Sequence, residues 1–120
     1  MMRCFLGSKL HRMVVTEADP DYAGSITLDR DLLDLAGMLP WEKVLVGNLR
    51  NGCRFETYVI EAERGSGTVC VNGAAARLVS IGDRIIVMQF FWADPDAESI
   101  PRPRVVVANE VDNLDPRLLS

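Results

Sequence analysis

The chain is poor in the features that usually announce a function. Its three cysteines, Cys4, Cys53 and Cys70, are widely spaced with no Cys-x-x-Cys pair. That argues against a disulfide framework or a thiolate metal site and for reduced thiols packed as small apolar side chains. His11 is the only histidine, and no metal is expected. No long apolar run is present either. Met1-Met2-Arg3-Cys4-Phe5-Leu6 meets Lys9 and His11 almost at once, too short for a signal peptide or a membrane span, so a soluble, cytoplasmic protein is expected. Lysine and arginine form no cluster, and the net charge of -4 with a pI near 4.9 disfavours nucleic acid and acidic membranes as partners.

What is present is a single small domain spanning 1–120. Its 48% hydrophobic content suffices for one compact core, and its 25% charged residues are of mixed sign. Short strand candidates dominate: 5–6, 10–16, 25–28, 43–48, 55–61, 68–71 and 84–91. Asn51-Gly52 is a hairpin signal, Gly65-Ser66-Gly67 a looser one, and Gly82-Asp83 a tight turn into the most apolar run. Asp29 can cap a short helix that ends at Ala36 with Gly37 beyond it, and Gly73 to Leu78 can form another turn or two. Many strands and one or two short helices predict a mainly β protein, a small barrel. From Ala93 the composition shifts toward Asp and Pro, and no clear element is expected from about 111, where the tail is expected to be mobile.

The pair Gly24-Ser25 lies between strand-like runs and on its own reads as a turn. It does not stand alone. Gly7-Ser8-Lys9-Leu10-His11-Arg12 precedes it, and Asn51-Gly52-Cys53-Arg54-Phe55-Glu56-Thr57-Tyr58, Arg64-Gly65-Ser66-Gly67 and Asn72-Gly73-Ala74-Ala75-Ala76-Arg77-Leu78 follow. In that order and spacing, from about Met1 to about Phe90, these blocks resemble the pyruvoyl-dependent aspartate 1-decarboxylases. Such a chemistry needs an electron sink, because decarboxylating an amino acid leaves an electron pair that no ordinary side chain accepts.

The resemblance implies a six-stranded double-psi β-barrel, a homotetramer with sites between subunits, and conversion of L-aspartate to β-alanine for pantothenate synthesis. It implies that Ser25 attacks the Gly24 carbonyl, that residues 1–24 and 25–120 separate, and that Ser25 becomes a pyruvoyl group forming an imine with the substrate. Gly24 is expected to carry backbone strain, and Thr57 to donate to the oxyanion. Lys9 and Arg54 are implied to hold the substrate carboxylates, Tyr58 to return a proton to the α carbon, and Tyr22, Asn72, Gly73, Ala74 and Ala75 to line the pocket, with His11 in support. A maturation factor is compatible with this route.

Simpler readings stand beside these. Arg54, Glu56 and Tyr58 alternate with Phe55, Thr57 and Val59, as on a half-solvated strand. The same alternation turns Thr57 and Tyr58 to opposite faces, so the strand bulges there, or one of them acts across a subunit boundary or before processing. A Ser25–His11 hydrolase lacks a Gly-x-Ser-x-Gly elbow and a helix directly after the serine. A non-enzymatic barrel with binding duties would leave the chain intact.

Overall fold

A computed structural model describes residues 1–119. The elements in chain order are β1 (Arg3–Val14), β2 (Glu17–Asp19), β3 (Ser25–Asp29), α1 (Arg30–Ala36), β4 (Lys43–Asn48), β5 (Arg54–Ala62), β6 (Val69–Asn72), a 3-10 turn (Gly73–Leu78), β7 (Arg84–Ala93), β8 (Arg104–Val107) and β9 (Arg117–Leu119). The strands follow the order β2-β6-β3-β5-β4-β7-β1-β8-β9. Six of them close into a ring. From β6 the ladder runs through β3, β5, β4 and β7 to β1, and Thr16, just past β1, returns to β6: its N–H donates to the Val69 carbonyl at 2.8 Å. The Thr16 hydroxyl doubles the closure, donating to Val69 O at 3.1 Å and accepting from Val69 N at 2.9 Å. β3 pairs with β5, β2 with β6 and β1 with β8 in parallel, and the other neighbours are antiparallel. This is the expected small double-psi barrel, with β2, β8 and β9 as short additions.

Period-two alternation fills its interior. Leu10, Met13, Ile26, Leu28, Val59, Val71, Ile85 and Val87 are fully buried, and each such side chain contributes roughly 1.5–3 kcal/mol by leaving water. The helix forms where its caps predict. Asp29 Oδ1 accepts from Asp31 N at 2.8 Å, and Gly37, at φ +74°, closes the last turn by donating to Leu33 O at 2.8 Å. No helix among the described residues is long and apolar enough to cross a membrane.

Three expectations change. Gly65-Ser66-Gly67 is not a hairpin, because β3 lies between β5 and β6. The turn is instead pinned to the helix cap: Gly65 N and Gly67 N donate to the Asp29 carboxylate at 3.0 and 2.8 Å. The expected strands at 5–6 and 10–16 are one strand, β1, which absorbs Gly7-Ser8 and Arg12 as register shifts against β7. The region from 111, where no element was expected, contains β9, and Asn113 there is 1% exposed and bonds to Val14 N, Val14 O and Gly67 O.

Candidate active site

Ser25 opens β3, and its side chain is fully buried although residues 20–24 before it are exposed. The burial comes from β6, whose last residue, Asn72, is its register partner. Asn72 Nδ2 donates to Ser25 Oγ at 3.0 Å, and the serine hydroxyl donates to the Ala23 carbonyl at 3.1 Å. The same Nδ2 donates to Thr27 Oγ1 at 3.0 Å, and Cys70 Sγ donates to Asn72 Oδ1 at 3.1 Å. A buried hydroxyl with one donor and one acceptor fixed around it has a defined direction, which an exposed turn serine lacks.

Gly24 itself does not require a glycine's conformational freedom. Its φ is not in the left-handed region, and a Cβ built on it would meet nothing within 4 Å. The backbone constraint sits opposite, at Gly73. Gly73 has φ +76°, and a Cβ there would lie 2.6 Å from Gly24 Cα and 2.9 Å from Gly24 N. Only a glycine lets the chain leaving β6 approach residue 24 this closely.

Tyr58 comes close through β5. Val59 is the parallel partner of Ile26, so Tyr58, one residue earlier, stands level with Ser25 on the same face. Its ring is half-buried and stacks on Trp41 with centroids 5.8 Å apart. The β5 ladders run without a register shift, so β5 does not bulge at Thr57. Thr57 pairs with the buried Val44 and faces the opposite way from Tyr58. In the 3-10 turn Ala74 is exposed, while Ala75 packs on the core. Tyr22 is 55% exposed at the rim of a depression of about 370 Å³, shared with Glu17, Asp19, Thr27, Cys70 and Asn72.

The cationic residues stand elsewhere. Lys9 and His11 lie on β1, which pairs with β7 and β8, and Arg54 is the exposed first residue of β5. Among the described residues neither Lys9 nor Arg54 is in an ion pair, whereas Arg30, Lys43, Arg50 and Arg64 are. His11 Nδ1 is buried without a hydrogen-bond partner. Its pKa is lowered, first by burial and then by the charges of Lys9 and Arg12, which favours a neutral ring. No lysine or arginine lines the depression beside Asn72, whose rim carries the carboxylates of Glu17 and Asp19. No group of three or more His, Cys, Asp or Glu among the described residues is set to hold a metal ion.

Thr27, Cys70 and Trp41 were missed from sequence. Period two could have found the first pair, since Thr27 follows Ser25 by two and Cys70 precedes Asn72 by two, on one face of β3 and β6.

Comparison with known proteins gives one answer. A family model described as aspartate decarboxylase matches residues 1–115. Aspartate 1-decarboxylase of Thermoanaerobacter pseudethanolicus is 50% identical over 110 residues, covering 92% of this chain and 94% of that protein. The enzyme of the same name from Bacillus licheniformis is 48% identical over 118 residues, covering 98% and 93%. That from Neisseria meningitidis is 53% identical over 109 residues, covering 91% and 86%.

Proposed function

Since the chain belongs to the aspartate decarboxylase family, we propose that it converts L-aspartate to β-alanine and carbon dioxide, for pantothenate synthesis, after cutting itself between Gly24 and Ser25. The observation that carries this reading is the buried Ser25 hydroxyl, held between Asn72 Nδ2 and the Ala23 carbonyl beside an exposed Gly24. In the cut, a bond forms from Ser25 Oγ to the Gly24 carbonyl carbon and the carbon–nitrogen bond breaks, with the hydroxyl proton passing to the released nitrogen. Elimination then frees the Gly24 carboxylate, and one water replaces the nitrogen, which leaves as ammonia. Residues 1–24 and 25–120 become separate chains.

The environment fits a pyruvoyl cap at position 25. Ser25 Oγ leaves with the Gly24 carboxylate, which would free Asn72 Nδ2, now donating to that oxygen, to donate to the ketone oxygen that replaces the nitrogen. That group supplies the electron sink for decarboxylation. The chain's own residues do the rest. Lys9 and Arg54, free of internal carboxylates, take the two carboxylates of the substrate, Arg54 through paired hydrogen bonds and Lys9 as a point charge. Tyr58, level with position 25, returns a proton to the α carbon, and Trp41 holds its ring. Thr57 faces away from Ser25 within its own chain, so its oxyanion role in processing is assigned across a subunit boundary. Tyr22, Gly73, Ala74 and Ala75 shape the wall around position 25, and neutral His11 supports Lys9.

Lys9 and His11 are not on a strand that pairs with β3. The complete site is therefore assigned to a homotetramer in which a neighbouring subunit supplies the missing cations. A cytoplasmic location and, where cleavage is slow, an accessory maturation protein belong to the same reading.

Mass spectrometry of denatured protein tests it. The expected result is two fragments, the larger being 25–120 and lighter by one ammonia than simple hydrolysis would give, while Ser25→Ala stays whole and inactive. Intact wild-type chain after prolonged incubation with cell extract would reject the reading in favour of a non-enzymatic barrel.

A further inference from the structure

The hydrogen-bond chain that ends on Ser25 begins two residues before Asn72. Cys70 is 6% exposed, and its Sγ donates to Asn72 Oδ1 at 3.1 Å. An asparagine side chain has nearly the same shape either way round, but donors at one end and an acceptor at the other, so its partners decide which way it points. At the Nδ2 end both partners are hydroxyl oxygens, Ser25 Oγ and Thr27 Oγ1, each 3.0 Å away. Hydroxyls donate or accept equally well, so these two would tolerate either orientation. The thiol breaks the tie. Burial, then the Glu17 carboxylate through its charge and as a second acceptor for the thiol proton, and then the charge of Asp19 push its pKa up to about 11, so the sulfur keeps its proton at neutral pH; at the amide, 3.1 Å away, that proton prefers the oxygen end.

The order of donors is then fixed: Cys70 to Asn72, Asn72 to Ser25, Ser25 to the Ala23 carbonyl. With the amide reversed, the serine hydroxyl would be drawn to give its proton to Asn72 and its link to Ala23 would be lost. We infer that Cys70 is a positioning residue for self-cleavage: its thiol locks the Asn72 amide with Nδ2 on Ser25 Oγ, and so sets the direction of the attacking hydroxyl. This rests on the processing reading above and adds to it a residue that touches neither the scissile bond nor substrate. The bland alternative is a small apolar filler, the usual role of a buried free cysteine.

Serine and alanine separate the two roles, because they differ little in volume and only serine can donate. Full-length chains carrying wild-type Cys70, Cys70→Ser and Cys70→Ala would be followed by mass spectrometry from the earliest intact species, with thermal melting recorded for each. Cys70→Ser is expected to yield the ammonia-light 25–120 fragment at close to the wild-type rate. Cys70→Ala is expected to yield it about five- to tenfold more slowly, the effect of losing one buried hydrogen bond. If the alanine variant melts well below wild type, Cys70→Val fills the space without a donor and takes its place, with the same expected slowing. Equal rates for donor and non-donor variants, with wild-type chain cleaving normally, overturn the role of Cys70 and leave the processing reading intact. A wild-type chain that never cleaves overturns both.

Discussion

Where β3 meets β6, the polar side chains are already bonded to one another: the buried Cys70, Asn72 and Ser25 and the half-buried Thr27 form one set. Among the described residues, Lys9 and His11 on β1 and Arg54 at the head of β5 have no polar partner for their side chains. On the proposed function, the two regions serve steps with opposite demands. Breaking a bond within the chain needs its reacting groups oriented before anything binds, so that region is finished inside one molecule. Gripping a dianionic substrate needs cations not neutralised by the protein's own carboxylates. These stay unpaired, and they lie apart from the carboxylates of Glu17 and Asp19 at the rim beside Asn72. The neutral state favoured for His11 comes first from its burial and then from Lys9 and Arg12, which both resist a further positive charge there.

The strongest way to break this division is at Gly73. Gly73→Ala places a methyl where Gly24 Cα already sits 2.6 Å away, at a backbone φ of +76°. Gly37→Ala is the matched control, with nearly the same φ of +74° but only the flexible Arg104 side chain nearby, at 3.4 Å. Both variants should lose roughly 1–3 kcal/mol from the left-handed backbone. Only Gly73→Ala should also slow self-cleavage, by about tenfold or more, because it alone displaces residue 24, which precedes Ser25. Denaturant melts and fragment masses measured on both proteins check this. Equal cleavage would show that pressure from Gly73 on residue 24 is irrelevant to processing.

Arg54→Ala probes the other region. Losing one charge-assisted carboxylate contact worth about 1.5–3 kcal/mol should raise KM for aspartate roughly ten- to a hundredfold. The yield of the 25–120 fragment should match wild type, since Arg54 makes no hydrogen bond or ion pair with the Ser25 set. Steady-state kinetics on fully processed protein, set beside its mass spectrum, gives both numbers. A loss of cleavage as large as the loss of binding would erase the distinction between the two regions.

How much of this was legible in the sequence depended on the range of the signal. The cap at Asp29, the stop at Gly37 and the Asn51-Gly52 reversal are local chemistry, and the structure has α1 and the β4–β5 hairpin where they predict. Gly65-Ser66-Gly67 is equally clear as a turn, yet a turn does not say which strand will lie alongside, and β3 came between β5 and β6. Strands of three residues such as β2 and β9 are too short to show a period. Ser25 and Asn72 were recognisable only through their family motifs, because their bond spans 47 positions. Strain was assigned to Gly24 because a small residue stands at the bond to be cut. The close approach in the structure is instead that of Gly73 to residue 24, which only the closed barrel creates.

The smallest expected effect on the chemistry lies at a third place, and it sharpens the contrast by touching neither region. Asp83 is 7% exposed and accepts from Arg50 Nε at 2.7 Å, Asn48 Nδ2 at 2.8 Å and Ser80 N at 2.8 Å. The Arg50 bond, helped by Asn48 and Ser80 and opposed by burial, lowers its pKa from 3.8 to about 2. A carboxylate with a depressed folded pKa adds stability that is complete above its unfolded value and is lost as pH falls through the folded one. The window is therefore about pH 4 down to about pH 2. Asp83→Asn should cost about 1–3 kcal/mol at pH 7, the penalty for disturbing buried bonds, and should flatten the decline in stability across that window. Urea unfolding in a Ser25→Ala background, where one uncut species is present, measures both quantities. Fragment yield in the otherwise wild-type chain should be unchanged. An acid limb as steep in Asp83→Asn as in its parent would mean that some other carboxylate carries the pH dependence.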